Sequence, residues 1–173
     1  MHEFITGQTM SGKSTLARLK IPPYLRAGVP VAVYSPVEPA NVWPEGCNVF
    51  IHWHDFLKFV LSPAMSNGGL LVVDEADTVL AQGDRRNWWV GTRSRHYGFK
   101  SLIITQRPTL VAPTVRGQCA ECYAFNLSAE DAKQLARDYN APGLLDAPKM
   151  KQGGFLRAYW KDGEKVVDRG RAW

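Results

Sequence analysis

Nine residues near the start of the chain, GQTMSGKST (7–15), put glycine, lysine and hydroxyl groups at the spacing a phosphate requires. Gly7, Gly12, Lys13 and Ser14 satisfy G-x-x-x-x-G-K-[ST]. The glycines let the backbone turn, so that N–H groups along Gln8, Thr9, Met10 and Ser11 can face one anion. A helix beginning at the lysine would add the positive end of its dipole. Lys13 is then placed for the β- and γ-phosphates, Ser14 for magnesium and Thr15 for the α-phosphate. The expected ligands are ATP and Mg2+.

Two further stretches complete this chemistry. In LLVVDEAD, a buried apolar strand ends in Asp74 and Glu75. Asp74 at the strand tip can hold magnesium beside Ser14. Glu75 can polarise a water for in-line attack on the γ-phosphate, which favours hydrolysis over simple phosphate binding. SLIITQRP (101–108) is another apolar strand, ending at Thr105 and Gln106. The Gln106 amide can reach the γ-phosphate or the attacking water.

The elements that must carry these residues are legible in the apolar rhythm. β-Branched runs alternate with longer mixed stretches, the pattern of a mostly parallel sheet flanked by helices. The expected fold is α/β, a P-loop NTPase with a RecA-like sheet and a C-terminal β-hairpin. Strands are predicted at 3–6, 31–35, 48–53, 70–74, 101–105 and 122–127, and helices at about 13–27, 55–65, 85–96 and 129–139. Ser128 with Asp131 three residues on gives the last helix a capping-box start. Asp162-Gly163 within 155–168 reads as a hairpin turn. The stretch 36–46 holds three prolines and is expected to be loop.

Composition bounds the rest. At 173 residues and 45% hydrophobic, the chain suits one ATPase domain spanning 1–173. The apolar runs fall far short of the ~20 residues needed to cross a bilayer. No signal peptide is expected, because the phosphate loop occupies its place. Cys47, Cys119 and Cys122 suit reduced thiols in a reducing compartment. The net charge of +5 and pI near 9.2 favour an anionic partner.

The three motifs also occur in a recognisable order. GQTMSGKST, LLVVDEAD and TRSRHYGFKSLIITQRP together resemble the FtsK–HerA superfamily of DNA-pumping P-loop ATPases, and the likeness continues through QCAECYAFNL and SAEDAKQLARDY. Within it, a bare ATPase core resembles the genome-packaging ATPases of tailless double-stranded-DNA viruses. It is also similar to the nucleotide-binding part of filamentous-phage assembly proteins. The resemblance implies a homo-oligomeric ring, a hexamer, threading double-stranded DNA. It also implies capsid vertex proteins as partners, no membrane span of its own, and action in the host cytoplasm or at a packaging vertex of the virion. Lys13, Ser14, Asp74, Glu75 and Gln106 would be the Walker and sensor residues.

Such rings usually need an arginine from the next subunit against the γ-phosphoryl group. Arg93, Arg95, Arg107 and Arg116 are available, with Arg95 or Arg116 preferred because they flank the sensor strand. Arg85 and Arg86 beside Trp88 and Trp89 interleave basic and aromatic groups and are candidates for DNA contact. Equally, Trp89 can lie in the core while the arginines face solvent.

Two other classes compete. The loop also resembles that of type II thymidine kinases, nucleoside kinases with a structural zinc held by paired Cys-x-x-Cys motifs. Here only Cys119-Ala-Glu-Cys122 has that form, with Cys47, His52 or His54 needed to complete a site. The reading preferred for the pair is a buried Cys122 and a loop thiol at Cys119. The remaining class is a nucleotide-dependent scaffold with little turnover, against which Glu75 argues.

Overall fold

A computed structural model describes residues 1–173. Eight strands form one sheet: β1 (His2–Thr6), β2 (Val31–Tyr34), β3 (Asn48–Phe50), β4 (Gly69–Val73), β5 (Phe99–Thr105), β6 (Cys119–Ala124), β7 (Gly154–Lys161) and β8 (Glu164–Arg171). Their order across the sheet is β3-β2-β4-β5-β1-β6-β7-β8. The first six run parallel, and β7 and β8 close the far edge as an antiparallel hairpin. Parallel strands need cover on both faces, and the sequence supplies it. Phe4 and Ile103 face one apolar cluster, with α3 (Trp53–Val60), α4 (Pro113–Gly117) and α5 (Ala129–Asp138) on that side. Ile5, Leu102 and Ile104 face a second cluster with Leu16 and Ala17 of α1 (Lys13–Lys20). Adjacent residues point to opposite faces, so one apolar run serves both layers.

The mostly parallel sheet and terminal hairpin match the expected fold class. Local differences have physical causes. The helix predicted over 13–27 breaks into α1 and a short α2 (Pro22–Arg26), because Pro22 and Pro23 cannot continue the hydrogen-bond ladder. The strand predicted over 48–53 stops at Phe50, and α3 begins at Trp53. The helix predicted over 85–96 is instead two 3₁₀ segments, Arg85–Gly91 and Ser94–Tyr97. There the Val90 carbonyl accepts from the hydroxyls of Ser94 and Ser101, both at 2.7 Å, and the Trp88 carbonyl accepts from the Thr92 hydroxyl at 2.9 Å. Side-chain hydroxyls thus occupy carbonyls that an α-helix would use.

Other local signals hold. The Ser128 hydroxyl accepts from the Asp131 N–H at 3.0 Å and caps α5. Asp162 and Gly163 both take positive φ, 51° and 85°, as a tight two-residue hairpin turn demands. Residues 36–46 are loop apart from one turn at Ala40–Val42. No helix is long and apolar enough to cross a membrane.

Candidate nucleotide site

The loop 7–12 leaves the carboxyl end of β1 and runs directly into α1. Gly12 sits at φ 116°, a left-handed geometry that a β-carbon would strain, and Met10 takes φ 61° beside it. No side chain caps the first turn of α1 and no acidic residue lies in it, so its N–H groups stay free for an anion. The Ser11 hydroxyl is buried without a partner, which costs about 1–3 kcal/mol unless a ligand satisfies it. Lys13 is buried, and its ammonium donates to the Gln8 carbonyl at 2.9 Å, folding across the loop. Burial pushes its pKa down, while Glu75 and Asp74 act in the opposite sense.

Strand order decides what faces this loop. Because β5 lies between β1 and β4, the end of β5 falls between the loop and the acidic pair. Gln106 occupies that place and bridges them. The Thr9 hydroxyl donates to Gln106 Oε1 at 2.7 Å, and Gln106 Nε2 donates to Glu75 Oε1 at 2.9 Å. Glu75 itself has φ 51° and ψ 47°, a conformation a non-glycine residue holds only when its surroundings compel it. Its N–H donates to Asp74 Oδ1 at 3.1 Å.

Asp74 is almost fully buried, and its carboxyl is pushed up to about 7. Burial is the main cause, reinforced by the neighbouring charges of Glu75 and Glu38. The crevice is acidic, with Glu38, Asp74 and Glu75 against only Lys13 and Arg18 among its lining residues, which favours a divalent ion that arrives with the phosphates. Asp74 and Ser14 are the residues that would hold it.

Motif spacing missed two carboxylates at this edge of the sheet, one of them in the crevice wall. Glu38 lies in the proline-rich loop after β2 and pairs with Arg18 on α1 at 3.0 Å. Only the adjacency of β2 to β4 brings it to Asp74. Asp77 accepts from the Thr105 hydroxyl at 2.7 Å, tying the turn after β4 to the end of β5.

The preferred arginines separate sharply. Arg116 is buried, pairs with Asp138 at 2.7 Å and donates to the carbonyls of Pro108 and Val111. It is therefore not free to serve a neighbouring molecule, which corrects the expectation placed on it. Arg95 is exposed, at the opposite, amino edge of the sheet just before β5. Arg107 is exposed next to Gln106, and Arg93 lies near Arg95.

Arg85, Arg86, Trp88, Arg93, Arg95 and His96 line one cleft with no carboxylate in its wall. Arg86 makes a two-pronged contact with Asp84 beside it, 3.0 Å on each prong. The Arg85 guanidinium lies 5.8 Å from the Trp88 ring centre. Trp88 and Trp89 both pack partly on the core, and Trp88 donates to the Ala81 carbonyl, so the indoles support the arginines from beneath.

Cys119 is not the loop thiol expected of it. It opens β6 and, like Cys122, is buried, with its thiol pKa pushed up by burial. Neither cysteine belongs to a group of three His, Cys, Asp or Glu side chains close enough to hold a metal ion by themselves.

No protein-family model and no curated protein matches the sequence. Solved structures do match. The genome-packaging NTPase B204 from Sulfolobus turreted icosahedral virus 2, in complex with AMPPCP, superimposes with TM-score 0.76 at 17% identity, over 98% of this chain and 96% of that one. The fold is that of a P-loop NTPase. The N-terminal domain of zonular occludens toxin from Neisseria meningitidis gives 0.58 at 17% identity, over 98% and 92%. The pCW3 conjugation coupling protein TcpA, with ATPγS, gives 0.64 at 15% identity, over 96% of this chain and 58% of that one. A genome-packaging NTPase is among the kinds of protein to which the sequence resemblance pointed.

Proposed function

We propose that the chain is an ATPase whose hydrolysis drives double-stranded DNA, as a packaging motor that fills a viral capsid. The observation that carries this reading is Gln106, hydrogen-bonded at once to Thr9 of the loop and to Glu75. A γ-phosphate entering the loop would compete for these bonds, so Glu75 can be held or released according to whether ATP is intact. That is the behaviour a motor needs and a simple kinase does not. The buried unpaired Ser11 hydroxyl and the uncapped start of α1 support phosphate binding. So does the fold shared with B204, which has been crystallised with AMPPCP and with ATPγS.

In this reading Lys13 neutralises charge on the β- and γ-phosphates. Glu75 accepts a proton from the attacking water, and Gln106 orients that carboxylate. Mg2+ held by Ser14 and Asp74 would supply charge neutralisation across the phosphates. Thr15 contacts the α-phosphate, and backbone N–H groups of Thr9, Met10 and Gly12 through Ser14 form the cradle, those of Gln8 and Ser11 being donated to the Asn126 and Gln8 carbonyls.

The chain works as one ATPase unit within a homo-oligomeric ring of six. Arg95 enters the neighbouring subunit's crevice, a role its exposure permits and the burial of Arg116 does not. Arg85, Arg86 and Trp88 contact DNA, joined by Arg93. Capsid vertex proteins receive the motor at a packaging vertex in the host cell.

The test is a triplex-displacement assay. A third strand annealed to linear duplex should be stripped off in an ATP-dependent manner by the wild type and retained with Glu75→Gln. Retention with the wild type under conditions where it hydrolyses ATP would contradict translocation. Mixing Glu75→Gln with Arg95→Ala subunits tests the ring. Each alone should be inactive, and the mixture should regain turnover only if Arg95 acts on a neighbour.

A further inference from the structure

The sequence motifs assign the phosphate end of the crevice and leave the other end unassigned. Trp173 fills that gap. Its indole lies directly against the phosphate loop, at an approach that only glycine permits. A β-carbon on Gly12 would stand 2.7 Å from Cζ3 and 2.8 Å from Cη2 of the ring, and one on Gly153 would stand 2.8 Å from Cε2. Backbone hydrogen bonds hold this arrangement. The Ser11 carbonyl accepts from the Gly153 N–H at 3.0 Å, and the Gly153 carbonyl accepts from the Ala172 N–H at 2.8 Å. The loop thereby positions the residue next to Trp173. Yet 56% of Trp173 remains exposed, and it lines the same crevice as Lys13, Ser14, Thr15 and Arg18.

Strand order gives the crevice a direction. Glu75 and Gln106 follow β4 and β5, on one side of β1, whereas Trp173 follows β8, on the other side beyond β6 and β7. With the γ-phosphate beside Glu75, the chain of phosphates runs back over Lys13 and Thr15 and brings the nucleoside toward the indole. We infer that Trp173 is the platform on which the nucleobase stacks, a binding residue at the nucleoside end of the crevice. This rests on the nucleotide reading above. An aromatic face held rigid by backbone, with one side open, suits a flat π-system, and stacking on it requires no hydrogen bond to the base edge.

Titration calorimetry on the full chain with Mg2+ separates the base from the phosphates. Trp173→Ala should weaken ATP binding about tenfold, the scale of one base–aromatic stack. It should leave inorganic tripolyphosphate binding unchanged, and Trp173→Phe should retain most of the ATP affinity. Equal weakening of ATP and tripolyphosphate would show that the indole only braces the loop, and undiminished ATP binding would also overturn the inference. If Trp173→Ala does not fold, intrinsic fluorescence decides. The difference spectrum between wild type and Trp173→Phe should respond to ATP and not to tripolyphosphate; no response to ATP sinks the idea. A wild type that binds neither compound would instead refute the nucleotide reading itself.

Discussion

The two edges of the sheet solve opposite problems. At the carboxyl edge, charged and polar groups are drawn inward and tied down: Lys13 to the Gln8 carbonyl, Arg18 to Glu38, Gln106 to both Thr9 and Glu75. At the amino edge, Arg85, Arg93, Arg95 and His96 stand exposed around a cleft with no carboxylate in its wall. The strand β5 joins them, starting four residues after Arg95 and ending one before Gln106, a span of about 20 Å for its seven residues. A buried, preorganised crevice suits chemistry on a small anion. An open cationic cleft suits a long polyanion held without sequence preference. Titration follows the same division. Burial pushes Asp74 up to about 7 at one edge and pushes His2, at the other, down to about 4.

The largest expected effect breaks the carboxyl edge chemically. Glu75→Gln should lower ATP turnover by about 10²–10⁴-fold while ATP still binds, as judged by steady-state rates beside calorimetry. Equal loss of binding would place Glu75 in the cradle instead of the chemistry.

Asp74→Asn tests the electrostatic cost of that edge. The native carboxyl titrates near 7 against an ordinary value of 3.8, so native stability is fully present below pH 4 and declines as pH rises through 7. At pH 8 without magnesium the variant should be more stable, by up to about 4 kcal/mol. The gain should vanish near pH 4. Thermal melts across this range measure it, and a variant less stable than wild type at pH 8 contradicts the strain.

His2 gives the opposite sign. Burial, then the N-terminal ammonium and Arg95, hold its imidazole neutral against a weaker opposing pull from the Thr92 backbone. Its contribution is complete above pH 6.5 and is lost as pH falls toward 4, about 3 kcal/mol in all. Melts of His2→Phe should show a flatter acid limb. An unchanged acid limb would mean that His2 is protonated at little cost.

Gln106→Ala should cost less than Glu75→Gln, about 10- to 100-fold in turnover, because it only misplaces the carboxylate. A loss as large as that of Glu75→Gln would give the amide a direct role at the reacting phosphate.

Sequence revealed the carboxyl edge far better than the amino edge. Strand β4 and the Leu102–Ile104 half of β5 are apolar runs because both of their faces are covered, and Asp74, Glu75 and Gln106 follow directly on them, as the phosphate loop with Lys13 follows β1. Glu38 and Trp173 were illegible, since their places depend on which strands are neighbours. The segment 85–97 misled for another reason. Its aromatic and basic residues have helical spacing, but hydroxyls from Ser94, Ser101 and Thr92 take the carbonyls a helix needs. Cys119 entered β6 because pairing with β1 extends three residues before the apolar run.

Coupling between the two edges is the central claim. The most direct measurement is ATP turnover with and without linear double-stranded DNA, in the wild type and in Arg85→Ala/Arg93→Ala. DNA should raise wild-type turnover several-fold, and the double substitution at the amino edge should abolish that increase. Turnover indifferent to DNA in the wild type, or full stimulation in the double variant, would contradict a motor in which the cationic cleft governs the crevice.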